Sequence, residues 1–191
     1  KKLMPLVHLP VQSGSNKVLD LMNRKHTIRS YLEIFYKLKE INSNIEFSSD
    51  FIIAYPGENE NDFNDTLRLI DEVKFINSYS FVFSPRPGTN ASILPLIDKK
   101  KSFERLEIVQ KKLFDNQIEM NKSLENKIIN VLVENRTDDK SKLFARSEYM
   151  TSVLFSGSDN LIGKIVKVKI QNCNQNTLFG EIANQSNQKV A

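Results

Sequence analysis

The chain has 191 residues, of which 40% are hydrophobic and 26% charged, with 27 basic side chains against 23 acidic ones and a formal net charge of +4. That length fits one large domain or two small ones, and that composition fits a globular protein rather than a disordered or fibrous one. No apolar run approaches the ~18–20 residues that span a bilayer. A lone cysteine, Cys173, rules out a disulfide framework within the chain and fits a reducing compartment, so a cytoplasmic location is expected.

The first hundred residues repeat a strand-then-helix rhythm three times. Leu3–Val11 reads as a buried strand, too mixed and proline-rich for a signal peptide. It stops at the small polar run Gln12-Ser13-Gly14-Ser15, and a short helical piece with Val18, Leu21 and Met22 follows. Thr27 is placed to cap the next helix, where Ile28, Tyr31, Leu32, Phe35 and Leu38 fall at helical spacing. Glu46–Ala54 is strand-like and ends at Tyr55-Pro56-Gly57-Glu58; Phe63, Leu67, Ile70 and Val73 then share one side of a helix over 60–74. Ser78–Phe83 is the third strand, ending at Ser84-Pro85-Arg86-Pro87-Gly88-Thr89. Strands separated by such helices predict parallel pairing with right-handed crossovers. Three strands alone leave a sheet edge and half a core uncovered, which predicts a further N-terminal portion.

Residues 99–126 form a long helical pattern through Phe103, Leu106, Val109, Leu113, Met120 and Leu124. From Lys127 the period changes to two. Short strands are predicted around Ile129–Val133, Leu143–Ala145, Val153–Phe155, Ile165–Ile170 and Leu178–Ile182, separated by turn-rich pieces. Five short antiparallel strands in about 60 residues predict a small barrel. The positive charge is uneven: residues 1–98 carry a net −1, 99–122 a net +3 and 123–191 a net +2. A basic second half suits a polyanion such as RNA, and equally a solvated lysine-rich surface.

The three strand ends collect the polar side chains. Gln12, Ser13 and Ser15 stand at the first, Asp50 and Glu58 at the second, and Ser84 and Arg86 at the third. Glutamine and serine suit hydrogen bonding to a nucleoside or amino-acid group, and Asp50 suits an ammonium or hydroxyl. Arg24 and Arg86 offer a fork for carboxylate or phosphate. Each element also has a plainer reading. Pro56-Gly57-Glu58 reads as a turn with an acid at a helix N-terminus, His8 as a hydrogen-bonded core residue, His26 as a surface residue, and Tyr79 and Phe81 as core.

Together, the runs at 8–15 (His-Leu-Pro-Val-Gln-Ser-Gly-Ser), 22–27 (Met-Asn-Arg-Lys-His-Thr), 48–58 (Ser-Ser-Asp through Pro-Gly-Glu) and 79–89 (Tyr-Ser-Phe through Arg-Pro-Gly-Thr) resemble the methylthiotransferases. These are radical S-adenosylmethionine enzymes that insert sulfur and a methyl group into RNA bases or a protein side chain. The resemblance covers about residues 4–183. It implies an α/β fold, the C-terminal half of a (β/α) partial TIM-type barrel over 1–122, followed by a small all-β antiparallel barrel over 123–187. That barrel resembles the OB-like, RNA-binding TRAM domain through Leu161-Ile162-Gly163 and Asn176–Glu181; a disordered tail is expected at 188–191.

The branch most similar to Leu9–Ser15 and Ser84–Thr89 methylthiolates C2 of N6-isopentenyladenosine beside the tRNA anticodon. Sister branches act on threonylcarbamoyl-adenosine or on a ribosomal protein. In the family a reduced [4Fe-4S] cluster cleaves S-adenosylmethionine to a radical, and a second cluster carries the sulfur. The resemblance implies Gln12, Ser13, Arg24, Asp50, Glu58 and Arg86 as cofactor-binding residues. It implies RNA contact by Phe144, Arg146, Tyr149, Lys164, Lys167 and Lys169, with the anticodon stem-loop, the N-terminal part of the enzyme and a flavodoxin or ferredoxin donor as partners and no membrane. The family's cluster-binding Cys-x3-Cys-x2-Cys loop is not present, so this stretch is expected to be inactive alone, Cys173 being a plain barrel residue. Ala54 stands where the family usually has glycine. A stand-alone RNA-binding protein with a relic half-barrel is the other reading.

Overall fold

The computed structural model describes residues 4–183, so the tail expected at 188–191 lies outside the described residues. The elements follow the predicted rhythm: β1 (Leu6–His8), α1 (Asn16–Leu21), α2 (Ile28–Ile41), β2 (Glu46–Ser48), β3 (Asp50–Ile53), α3 (Glu60–Val73), β4 (Tyr79–Val82) and α4 (Lys99–Ser123). Five strands come next: β5 (Ile128–Arg136), β6 (Leu143–Ser147), β7 (Ser152–Phe155), β8 (Ile165–Cys173) and β9 (Thr177–Ile182). The chain divides into two compact units, one over Pro5–Asn116 and the other running from Gln117.

In the first unit β1 pairs parallel with β2, and β3 with β4. Both belong to one parallel arrangement, because only Ser49 separates β2 from β3 and a parallel bridge joins Gln12 to Phe51. β1 is shorter than expected because Pro10 has no N–H to give the ladder. The Val11 N–H turns instead to Ser49 Oγ at 2.9 Å. Helix starts are fixed locally. Thr27 and Ser30 make a reciprocal capping box at α2, and Asn59 and Asp62 make one at α3.

Alternation along the strands sorts their side chains onto two faces. Phe47, Phe51 and Ile53 lie beneath Tyr31 and Phe35 of α2, Phe63, Ile70 and Val73 of α3, and Val109 and Leu113 of α4. Edge-to-face ring pairs, Phe35–Phe47 at 5.0 Å and Phe51–Phe75 at 5.3 Å, fix that layer. The opposite face carries His8, Asp50, Tyr79 and Phe81, which the helices leave open. Tyr79 and Phe81, expected in the core, are therefore 63% and 57% exposed. Towards the strand ends Ile52 and Phe83 are covered by Val18, Met22, Tyr55 and Ala91.

The second unit is a closed barrel in the order β5-β6-β7-β9-β8. Its lining is apolar: Val131, Val133, Leu143, Ala145, Val153, Phe155, Val168, Ile170 and Leu178 all point inward, with Leu124 at one end. The expected all-antiparallel pairing fails at one seam, where β7 and β9 run parallel. Five is an odd number, and a closed ring of strands can alternate direction throughout only if their number is even. β5 and β8 each carry a register shift, between Val133 and Asn135 and between Ile170 and Asn172, which lets so small a barrel curve closed. Gly180 is demanded by this closeness: a Cβ there would meet Lys169 O at 2.5 Å.

Candidate functional site

The first strand end is a folded knot rather than an open loop. Gln12 N–H donates to Asp50 O at 3.0 Å, and Ile52 N–H to Gln12 O at 2.9 Å. Gln12 thereby adopts φ 74, a left-handed conformation that costs a non-glycine residue about 1–2 kcal/mol. Its residue is buried, yet its carboxamide makes no hydrogen bond among the described residues. Ser13 is buried: its Oγ lies 3.4 Å from Thr66 Oγ1 and accepts from Ser15 N–H at 3.2 Å. Gly14 packs directly on α3, where a Cβ would meet Thr66 Cα at 2.4 Å, and its N–H donates to Thr66 Oγ1 at 2.9 Å. Ser15 caps α1 and donates to Asp62 Oδ1 at 2.7 Å, while Lys17 reaches Asp62 Oδ2 at 2.8 Å. Burial pushes Asp62 upward, but the Asn59 amide, Lys17 and Ser15 outweigh it and hold the carboxyl below its ordinary value.

The second strand end is built on a buried ion pair. Glu58 Oε1 accepts from Arg105 Nη1 at 2.7 Å and from the Ala54 N–H at 3.1 Å, with the two charged side chains 1% and 4% exposed. Arg105 Nη2 also donates to Glu60 Oε2 at 2.9 Å, and its guanidinium lies 5.0 Å from the Phe63 ring centroid. Burial pushes the Glu58 carboxyl above its ordinary value against the opposing pull of Arg105 and the Ala54 amide. Glu58, expected to touch a cofactor, is thus committed to holding the 54–58 turn, and Ser13 is likewise spent on α3. Ala54 has φ 59, a left-handed conformation that glycine adopts without steric cost.

The remaining cofactor candidates are more open. Asp50 sits at the start of β3 with Oδ2 3.5 Å from His8 Nε2, and His8 Nδ1 is 2.8 Å from Ser48 Oγ. His8 is hydrogen-bonded as expected but lies on the open face rather than in the core. Arg86 follows β4 in an exposed turn closed by Thr89, and Arg24 follows α1; neither guanidinium has a partner among the described residues. Gln12 and Asp50 are therefore joined through their backbones, Arg86 follows the neighbouring strand, and Arg24 is exposed after α1. His26, expected at the surface, is half-buried with its ring 6.4 Å from Tyr31 and Nε2 buried without a partner. Arg105 escaped sequence reasoning because it lies 47 residues from Glu58. Only its position one helical turn before Val109 hinted at a buried face.

On the barrel, Arg146 and Phe144 stand on the outer face of β6, with the guanidinium 5.1 Å from the Phe144 centroid. Arg146 also lies 3.5 Å from Glu134 Oε2 and donates to Met150 O at 3.2 Å. The register carries that face across β5 to β8: Arg146 opposes Leu132, Leu132 opposes Ile165, and Asn130 opposes Lys167. Lys164, Lys167 and Lys169 are exposed there without ion pairs among the described residues. Exposed Ile128, Leu132 and Ile165 separate the cations. Tyr149 belongs to the turn between β6 and β7, its N–H donating to Ser147 Oγ at 3.2 Å. Lys142 adds a cation the sequence reading missed, 5.5 Å from the Phe179 centroid. Cys173 packs at the barrel margin, with Sγ 3.3 Å from Glu125 Oε1; burial first, and that carboxylate second, push the thiol up.

Residues 1–70 match the Radical SAM superfamily and residues 122–183 match the TRAM domain. The two matches fall on successive stretches, the first within the α/β unit and the second over the barrel, and each covers less than half of the chain. The chain is 66% identical over its whole length to a tRNA-2-methylthio-N(6)-dimethylallyladenosine synthase of Pelagibacter ubique, of which it covers 43%. It is 44% identical to proteins of the same name from Orientia tsutsugamushi, over 97% of the chain, and Wolbachia pipientis, over 94%, covering 42% of each. The chain spans less than half the length of these relatives.

Proposed function

We propose that this chain is part of a tRNA methylthiotransferase that places a methylthio group on C2 of N6-isopentenyladenosine beside the anticodon. The observation that carries this reading is 66% identity to a relative of that name over the whole chain, across both domains. In this reading residues 1–122 are the C-terminal part of a partial (β/α) barrel, and 123–187 are the RNA-binding module. The one-sided helical cover of the sheet supports the first part, since parallel sheets are ordinarily covered on both faces. The row of unpaired lysines with interleaved apolar groups supports the second.

S-adenosylmethionine suits the polar groups at the strand ends: the carboxamide of Gln12 and the guanidinium of Arg86, and the carboxylate of Asp50 beside His8, with Arg24 nearby in sequence. Ser13 ties the loop beside Gln12 to α3, and Glu58 holds the 54–58 turn that follows β3, the strand Asp50 begins. When bound, the cofactor supplies the radical and the methyl group. An iron–sulfur cluster does not fit the residues described here. Cys173 is the chain's one thiol, and no three His, Cys, Asp or Glu side chains converge among the described residues. In this reading the cluster ligands belong to the remainder of the enzyme, a flavodoxin or ferredoxin supplies electrons, and the enzyme works in the cytoplasm. No helix among the described residues is long and apolar enough to cross a membrane.

The test is a chimera. These 191 residues replace the matching stretch of the Pelagibacter relative in cells that lack the activity, and tRNA nucleosides are read by mass spectrometry. The methylthio nucleoside is the expected product. A folded chimera that leaves tRNA unmodified while binding it tightly would favour the stand-alone RNA-binding reading instead.

A further inference from the structure

The open face of the sheet carries two aromatic rings that the cofactor reading does not use. Tyr79 and Phe81 stand there with ring centroids 6.5 Å apart and planes only 12° from parallel. The register sets Tyr79 directly opposite Asp50 and Phe81 opposite Ile52. Beyond Asp50 lies His8, tied to Ser48 Oγ at 2.8 Å and 3.5 Å from the Asp50 carboxylate. One face thus presents two exposed, nearly parallel aromatic rings beside an imidazole–carboxylate pair. Whatever covers this face must give His8 and Asp50 polar partners, because burying them without compensation is costly. A planar heterocycle needs both parts: an apolar surface for its π-face and hydrogen-bonding groups at its rim.

We propose that Tyr79 and Phe81 form the platform on which the target purine base of the RNA rests, with His8, steadied by Ser48 and Asp50, meeting the heteroatom edge of that base. This rests on the tRNA reading above and names the side chains that would select the base. Choosing RNA over a free nucleotide follows from the TRAM domain in the same chain. The inference concerns binding and orientation alone.

The test is a cycle that pairs protein and RNA changes. An anticodon stem-loop with adenine beside the anticodon, and its counterpart abasic at that position, are titrated by fluorescence anisotropy against the chain and its Tyr79→Ala/Phe81→Ala variant. Base stacking is worth about tenfold or more in affinity. The wild-type chain is expected to lose about that much on the abasic RNA, and the variant less than about twofold. Equal losses in both proteins would overturn the platform. Binding of neither RNA at low salt would overturn the RNA reading itself. S-adenosylmethionine binding that weakens with the same double substitution would assign the rings to the cofactor's adenine and overturn the proposal. Both rings are exposed, so the variant should keep the wild-type urea midpoint; Phe81→Leu serves as a milder second variant, expected to lose part of the discrimination.

Discussion

Replacing Arg105 by methionine tests the idea that the second strand end is held by a buried charge pair. The substitution conserves much of the volume and leaves the Glu58 carboxylate, 1% exposed, with the Ala54 amide as its remaining hydrogen-bond donor. Removing one partner of a buried ion pair costs about 3–5 kcal/mol. The link to Glu60 adds little, because that carboxylate is 61% exposed. Glu58→Gln keeps an acceptor for the Ala54 N–H and should cost less, about 1.5–3 kcal/mol, the worth of a charge-assisted hydrogen bond. The double variant leaves neither charge buried and should be more stable than Arg105→Met alone by at least about 1 kcal/mol. Urea unfolding followed by far-UV circular dichroism gives the energies, and hydrogen exchange at the Ala54 amide reports the turn locally. The penalty of Arg105→Met should shrink as pH falls towards the ordinary glutamate range, because the orphaned carboxyl takes up a proton. A cost below about 1 kcal/mol, or strict additivity in the double variant, would refute the reasoning.

Three further outcomes are expected. Asp62 is held below its ordinary value of 3.8, so its stabilising contribution is complete above that pH and is lost as the pH falls through the lower folded value; Asp62→Asn should flatten the stability curve in that acid window while lowering stability at neutral pH. Gly180→Ala should destabilise the barrel by about 1–3 kcal/mol, seen as a lower urea midpoint, since the backbone oxygen of Lys169 at 2.5 Å cannot swing away. Lys167→Ala should reduce the slope of log affinity for tRNA against log salt by about 0.7–0.9 if that lysine meets a phosphate; an unchanged slope would remove it from the interface.

Periodicity, caps and turn residues determined the elements of this protein without help from the rest of the fold. Apolar residues three and four apart marked α2, α3 and the buried side of α4, and Thr27 marked where α2 begins. The change to a period of two after Lys127 marked all five barrel strands. These signals are local, because a helix or strand shows its buried face within a few residues. Pairing decided the rest. The parallel seam between β7 and β9 follows from closing an odd ring, and the exposure of Tyr79 and Phe81 follows from which sheet face the helices cover. The same holds for the candidate site. The polar residues at the strand ends were legible as a set, but tertiary contacts 47 and 53 residues apart in sequence turned Glu58 and Ser13 inward. Contacts between distant residues leave no period in a sequence, so a side chain's availability is settled only when the packed neighbour claims it or leaves it free.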